Sequence, residues 1–347
     1  MKLKRQIFHV DAMANLVGIN DRNLRVFKQY MNVSVTLHDR NIIVSNADGK
    51  EKLMNNIFDI LIDLAENGIS LTEREIIYVI KCCLNEQKKD FLELYKNAKP
   101  ICMTYQGKKI LPKTFNQKYY TQAIKKNELT FGIGPAGTGK TFLGVAAALD
   151  ALKSGVVKKI ILTRPVVEAG ESLGFLPGDV KEKIDPYLVP LYDSLYDIAG
   201  FEMTNKYIEN KIIEIAPLAF MRGRTLEDAF VILDEAQNTT KSQMKMFLTR
   251  LGFSSRMLIN GDPTQIDLPK KDQSGLLDAI KHLEKIENVE IIKFETLDVI
   301  RNPIVQKILE SYHVKWKYLY LTRQNFILKI IERLYLKFLI LLKMIKE

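Results

Sequence analysis

Cysteine and histidine are scarce in this chain. Among 347 residues there are three cysteines, Cys82, Cys83 and Cys102, and four histidines. The cysteines are too few and too unevenly spaced for a disulfide framework, and the histidines form no metal-ligand pattern. A disulfide-stapled secreted module and a His/Cys metal site are thereby excluded, and the thiols read as small buried apolar side chains in a reducing compartment. Long apolar runs are missing too: no stretch approaches the ~20 residues that a membrane-spanning helix needs. The basic opening, residues 1–5, has no signal-length apolar segment behind it because Asp11 and Asn15 interrupt it, so a cytoplasmic protein is expected. Internal repeats, low-complexity tracts and a nuclease constellation are also lacking.

Negative charge is in deficit, with 41 acidic against 51 basic residues and a net charge of +10. From His313 onward there are eight Lys or Arg and two Glu, so six of the ten excess charges sit in the tail. The body is only mildly basic, and net charge alone is weak ground for nucleic-acid binding by the core.

The length fits two folded units or one large unit with extensions. Residues 1–98 read as an N-terminal α/β and helical region. A short strand is predicted at residues 7–10, then helix through residue 30, broken near Gly18. Two alternating runs, residues 33–37 and 41–45, predict a hairpin turning at Asp39 and Arg40. Leu53, Ile57, Ile60, Leu61 and Leu64 recur at the helical period, Gly68 ends that helix, and Thr72 with Glu75 caps the next. This βαββα order is that of a KH-type RNA-binding fold, whose clamp needs a GxxG loop. Only Gly18 of that loop is present, so RNA binding and plain packing or oligomer contacts both stand as readings of this unit. Residues 99–113 read as a linker, 114–312 as the main domain and 313–347 as a tail.

In the main domain, apolar runs at residues 129–133, 159–163, 212–215, 230–233, 256–260 and 289–294 alternate with helical stretches. Strands of that kind are buried on both faces, which predicts an α/β fold with a parallel sheet and helices on both faces. Between the first run and its helix stand Gly134, Pro135, Ala136, Gly137, Thr138, Gly139, Lys140 and Thr141, a full G-x-x-x-x-G-K-[ST]. Gly137 and Gly139 let backbone N–H groups turn onto phosphate oxygens. Lys140 places a positive charge at the β- and γ-phosphates, and Thr141 offers a hydroxyl to magnesium.

The run 230–233 ends in Asp234 and Glu235. Asp234 is the expected second magnesium ligand. Glu235 is placed to orient or deprotonate a water, which implies hydrolysis more than transfer to a small molecule. After the run 256–260 come Gly261, Asp262, Pro263, Thr264 and Gln265, with Gln265 the expected γ-phosphate sensor and Asp262 a brace of its loop. ATP and Mg2+ are the implied ligands.

These blocks in this order resemble the first motor domain of superfamily 1 helicases. More specifically, Pro112-Lys-Thr-Phe-Asn-Gln117, the phosphate loop, Leu162-Thr-Arg-Pro-Val-Val-Glu-Ala-Gly170, Leu173-Gly-Phe-Leu-Pro-Gly178, Met221-Arg-Gly-Arg-Thr225, Leu233-Asp-Glu-Ala-Gln-Asn-Thr-Thr240 and Gln265-Ile-Asp-Leu-Pro269 resemble the PhoH-like family. That resemblance implies a RecA-like ATPase core, often behind a KH-like region, in cytosolic proteins tied to RNA metabolism and to a metal-dependent endoribonuclease. It also implies a homo-oligomeric ring. Gln117 falls where family members and helicases contact adenine, with Gln122 a local competitor. For the arginine that stabilises the transferred phosphoryl, Arg164, Arg222, Arg224, Arg250 and Arg301 are candidates. Arg301 lies in Leu297-Asp-Val-Ile-Arg-Asn-Pro303, where the family usually has His in place of Asn302. Arg164 is also a candidate for a nucleic-acid phosphate.

A superfamily 1 translocase needs two motor domains, and one is read here, so translocation would require neighbouring subunits. The tail carries Lys329, Arg333 and Lys337 at four-residue spacing, with Glu332 and Lys343 nearby on the same face, the pattern of a basic amphipathic helix. Packing on the core or between subunits, or a partner or membrane surface, are its open readings. The leading functional expectation is ATP hydrolysis coupled to RNA remodelling or processing. The alternative is a nucleotide-controlled assembly switch acting on protein partners. A small-molecule kinase is disfavoured by Glu235 beside Asp234 and by the Gly-Asp-x-x-Gln loop.

Overall fold

Why the first strand lies where it does follows from the hairpin it joins. In the computed structural model, which describes residues 3–87, 89–96, 98–165, 180–270, 273–300, 305, 308 and 311, β1 is Leu3–Gln6, followed by α1 (Val10–Val17) and α2 (Arg22–Met31). Next come β2 (Ser34–His38) and β3 (Asn41–Ser45), joined by a two-residue turn with positive φ at both Asp39 and Arg40, the geometry that matches strand twist. β1 pairs antiparallel with β3, from Leu3 opposite Val44 to Gln6 opposite Asn41. Asn41 begins β3, so residues 7–10 have no ladder partner. The strand expected there is four residues early, Ile7 donates instead to the Arg40 carbonyl at 2.9 Å, and Val10 opens a helix.

The three strands lie in the order β1-β3-β2. Helices α3 (Glu51–Glu66) and α4 (Glu73–Leu84) share one apolar core with them, α4 opening with the Thr72 and Glu75 capping box read in the sequence; α5 (Phe91–Tyr95) follows. The apolar stripe of α3 is rotated slightly from the expected one: Met54 and Phe58 are fully buried while Leu53 and Ile60 are half-buried. Phe27 stacks on Phe58 with ring centroids 4.9 Å apart. Between α1 and α2 the chain breaks at Gly18, Asn20 and Asp21, all with positive φ. Buried Asn23 ties this corner together, its Nδ2 donating to the carbonyls of Leu16 and Leu71, each at 2.9 Å.

The stretch read as a linker contains a small hairpin of β4 (Cys102–Met103) and β5 (Lys109–Ile110). Thereafter α6 (Phe115–Lys126) precedes β6 (Leu129–Ile133), α7 (Lys140–Lys153), β7 (Lys159–Arg164), α8 (Val180–Ala199), α9 (Phe201–Glu209), β8 (Ile213–Pro217), β9 (Ala229–Leu233), α10 (Lys241–Leu248), β10 (Arg256–Gly261), α11 (Gly275–Leu283) and β11 (Val289–Lys293). Six strands form one sheet in the order β11-β6-β10-β9-β7-β8, and every adjacent pair is parallel. Successive side chains of a strand face opposite ways, and both faces are apolar. Phe230, Ile232, Leu258 and Leu162 join α7 and α8 in one core, while Val231, Leu233, Ile259 and Ile161 join α10 and α11 in another. The six apolar runs therefore became the six strands for the reason they were picked out: helices cover both sides of them.

The chain divides into two units, Met1–Ile300 and Arg301–Glu347, and the first holds all the elements above. Arg301, residues 166–179 with the motif at 173–178, and the tail 313–347 lie outside the described residues. Among the described residues no helix is long and apolar enough to cross a membrane.

Candidate active site

In a parallel sheet the carboxyl ends of all strands share one edge, so loops leaving β6, β7, β9 and β10 meet there. The phosphate loop leaves β6 and enters α7. Gly134 has φ 141°, and a Cβ on it would lie 2.4 Å from the carbonyl oxygen of Phe294, so only glycine fits. Gly137 and Gly139 are left-handed at φ 84°. The Lys140 ammonium is buried and donates to the carbonyls of Gly134 and Pro135 at 2.7 and 2.9 Å, and to Thr138 Oγ1 at 3.3 Å. Burial lowers its pKa, while Asp262, Asp234 and Glu235 act in the opposite sense. From behind, the fully buried Tyr120 hydroxyl bonds the Lys140 carbonyl at 3.1 Å and Asn260 Oδ1 at 2.7 Å.

Asp234 lies beyond the end of β9, where its amide still bonds the Thr163 carbonyl of β7 at 2.9 Å. Its Oδ1 accepts the Thr141 hydroxyl at 2.8 Å, so the two expected magnesium ligands touch. Burial, then the neighbouring charge of Glu235, push the Asp234 carboxyl up to about 6; Thr141, Arg164 and Lys140 oppose that rise. An anionic, partly desolvated carboxylate next to a hydroxyl is a hard oxygen pair. Among the described residues no three His, Cys, Asp or Glu side chains gather into a cage. This donor set fits magnesium, which takes a carboxylate or two and fills its octahedron from phosphates and water, better than a soft transition metal.

Glu235 has left-handed backbone angles, φ 53° and ψ 39°. Its Oε1 pairs with Arg164 Nη2 at 3.1 Å and its Oε2 accepts from Gln237 Nε2 at 2.5 Å. The loop after β10, the expected sensor loop, is braced by Asp262, which accepts from Ala136 N of the phosphate loop at 3.0 Å, from Thr264 N at 2.9 Å and from Gln265 Nε2 at 2.8 Å. Gln265 is therefore held against the phosphate loop through a single carboxylate.

Of the two glutamines at the front of the domain, Gln122 is exposed and Gln117 is buried against the loop. Gln117 Nε2 donates to the Thr138 carbonyl at 2.9 Å and its Oε1 accepts from Lys113 N at 2.6 Å. The arginines separate clearly. Arg164 is in the site, whereas Arg224 forms a two-point pair with Glu214 at 2.6 and 2.7 Å, Arg250 donates to the Arg224 carbonyl at 2.9 Å, and Arg222 is exposed. Sequence reasoning assigned no role to Gln237, Tyr120 or Asn260. Gln237 carried a signal, its place two residues after the carboxylate expected to activate water; Tyr120 and Asn260 are brought together only by the fold.

The sequence model described as PhoH-like protein matches residues 109–313. A PhoH-like protein of Bacillus subtilis (strain 168) is 49% identical over 312 residues, covering 90% of this chain and 97% of that protein. One from Mycobacterium tuberculosis (strain ATCC 25618 / H37Rv) is 45% identical over 305 residues, 87% of this chain and 85% of the relative. Among solved structures, the large terminase from a thermophilic bacteriophage, in complex with ADP, aligns at 13% identity with a TM-score of 0.34, over 54% of this chain and 46% of the terminase. The UvsW helicase from bacteriophage T4 aligns at 14% with a TM-score of 0.33, over 61% of this chain and 75% of that one.

Proposed function

Since the chain belongs to the PhoH-like family and carries the RecA-like core of an ATP-binding P-loop NTPase, we propose that it hydrolyses ATP with Mg2+ and couples that reaction to RNA remodelling or processing alongside an endoribonuclease. The observation that carries the hydrolytic part is the 2.8 Å contact of Thr141 with Asp234, which sets the phosphate loop against the acidic strand end with Glu235 as the next residue. Backbone N–H groups at the start of α7 and the Lys140 ammonium bind the β- and γ-phosphates. Thr141 and Asp234 hold Mg2+, which supplies charge neutralisation on the phosphate oxygens when bound.

Glu235 orients a water in line with the γ-phosphorus and accepts its proton as the oxygen–phosphorus bond forms. The bond to the β-phosphate oxygen breaks, and ADP leaves with the electron pair. Gln265 contacts the γ-phosphate and Gln117 the adenine. Gln117 bonds the phosphate loop directly at Thr138 and Gln265 reaches it through Asp262, so each reports ligand to the loop. Arg301 or another arginine of a neighbouring copy completes the site in a homo-oligomeric ring.

A second reading, the nucleotide-controlled assembly switch, draws on one feature of the N-terminal unit. Where a KH clamp has its second glycine, this chain has Asp21, with φ 55° and a carboxylate that would repel a phosphate backbone. Phosphate release from ATP, measured on the full chain with and without single-stranded RNA, separates the two. Stimulation by RNA that disappears in Lys140→Ala is the expected result. A rate indifferent to RNA but responsive to a protein partner supports the switch, and no release at all defeats both hydrolytic coupling and this use of the site.

A further inference from the structure

The water-activating carboxylate is gripped at both oxygens, and each grip comes from a different element. Arg164 ends β7; Gln237 sits in the turn after β9. Each of these two is itself anchored by its remaining polar group. The Arg164 Nη1 donates to the carbonyl of Tyr187 in α8 at 3.0 Å. The buried Gln237 accepts from the Asp262 amide at 3.0 Å through its Oε1. Asp262 in turn holds the phosphate loop at Ala136 and the sensor at Gln265. A continuous polar chain thus runs across the carboxyl ends of three strands, with Glu235 at its middle.

Stability does not explain this arrangement. The Arg164 and Glu235 side chains are 21% and 35% exposed, and ion pairs that water reaches add little to stability. A left-handed non-glycine backbone such as that of Glu235 is itself a cost. What the arrangement does provide is a single orientation for a carboxylate that would otherwise rotate freely at a strand end, and orientation is what a proton-accepting group needs. Because Gln237 uses its other end on the sensor loop, that orientation is also tied to the loop expected to touch the γ-phosphate.

We propose that Arg164 and Gln237 are positioning residues for hydrolysis, a two-point clamp that aims the Glu235 carboxylate and links its aim to the sensor loop. The clamp presupposes the hydrolytic reading above. It acts through Glu235, so it governs turnover and leaves nucleotide affinity nearly untouched.

The test is a set of steady-state ATPase measurements on the full chain, with nucleotide Kd from a fluorescent ATP analogue and a thermal melt for each variant. Arg164→Gln is expected to lower kcat by about 10- to 100-fold, the range for a small misplacement of a reacting group, with Kd changed less than about 3-fold. Arg164→Lys, which keeps one charged donor, recovers part of the loss. Gln237→Glu keeps an acceptor for the Asp262 amide but removes the donor to Glu235, and lowers kcat likewise. On a Glu235→Gln background neither substitution reduces kcat further, since the group they aim is gone. The clamp is refuted if Arg164→Gln leaves kcat unchanged or raises it, if the fall appears in Kd, or if the losses multiply on Glu235→Gln. A wild-type chain that releases no phosphate overturns the hydrolytic reading and the clamp with it, whereas wild-type turnover with insensitive variants overturns the clamp alone.

Discussion

Replacing Asp234 with asparagine should make the protein more stable at neutral pH and inactive at the same time. Burial and the charge of Glu235 raise this carboxyl from an ordinary 3.8 to about 6 in the folded chain. A folded value above the unfolded one means that the folded state is favoured while the group is protonated. That advantage is complete below about 3.8 and is lost as pH rises through about 6. Above that window the ionised carboxylate is a standing cost of roughly two pH units, or about 3 kcal/mol as an upper bound. Asparagine removes the charge and keeps an oxygen to accept from Thr141, though it also loses the attraction of the carboxylate to Arg164 and Lys140, which offsets part of the gain. A net gain of about 1–2 kcal/mol corresponds to a rise in melting temperature of roughly 3–6 °C for a domain of this size. Thermal melts of wild type and Asp234→Asn without nucleotide, at pH 8 and again near pH 4, measure it. The gain should be present at pH 8 and shrink toward pH 4. A gain independent of pH, or a variant less stable at pH 8, would refute the reasoning.

Three other substitutions test buried contacts, two of them in the frame that holds the site and one in the N-terminal region. Tyr120→Phe deletes a buried hydroxyl bonded to Lys140 O and Asn260 Oδ1, and should cost about 1–3 kcal/mol in chemical denaturation. Asn23→Ala leaves the buried carbonyls of Leu16 and Leu71 without their donor; a loss of about 2–3 kcal/mol is expected by the same measurement. Gly134→Ala forces a Cβ to within 2.4 Å of a backbone oxygen at φ 141°, and nucleotide binding by calorimetry should be lost or reduced more than 10-fold, a consequence of displacing the loop that cradles phosphate.

Most of the nucleotide-binding core was legible because its signals are local. An apolar run buried on both faces needs no knowledge of its neighbours to be read as a central strand, and glycine at positions 134, 137 and 139 is demanded by backbone angles the loop itself adopts. The short strand near the N-terminus was misplaced by four residues because its position is set by where β3 begins, a pairing that the residues 7–10 do not encode. The same limit applies within the site. Gln117 and Gln122 look alike in sequence, and only the packing of α6 against the phosphate loop buries one and exposes the other. Five arginines were candidates for one role; Glu214 of β8 engages Arg224 in the loop that follows, whereas Glu235 engages Arg164, a partner 71 residues away that it meets only across the ends of the parallel strands β7 and β9. Polar networks of this kind depend on the register of β7, β9 and β10, so their members carry no motif of their own.

The central claim is that Asp234 and Glu235 with the Lys140 loop make a hydrolytic site for Mg-ATP, and phosphate release by the purified full chain beside Glu235→Gln tests it most directly. The account predicts steady turnover by the wild type, and a variant that binds Mg-ATP with unchanged affinity yet releases phosphate at least ~100-fold more slowly. Equal turnover by the two proteins, with equal binding, would contradict it.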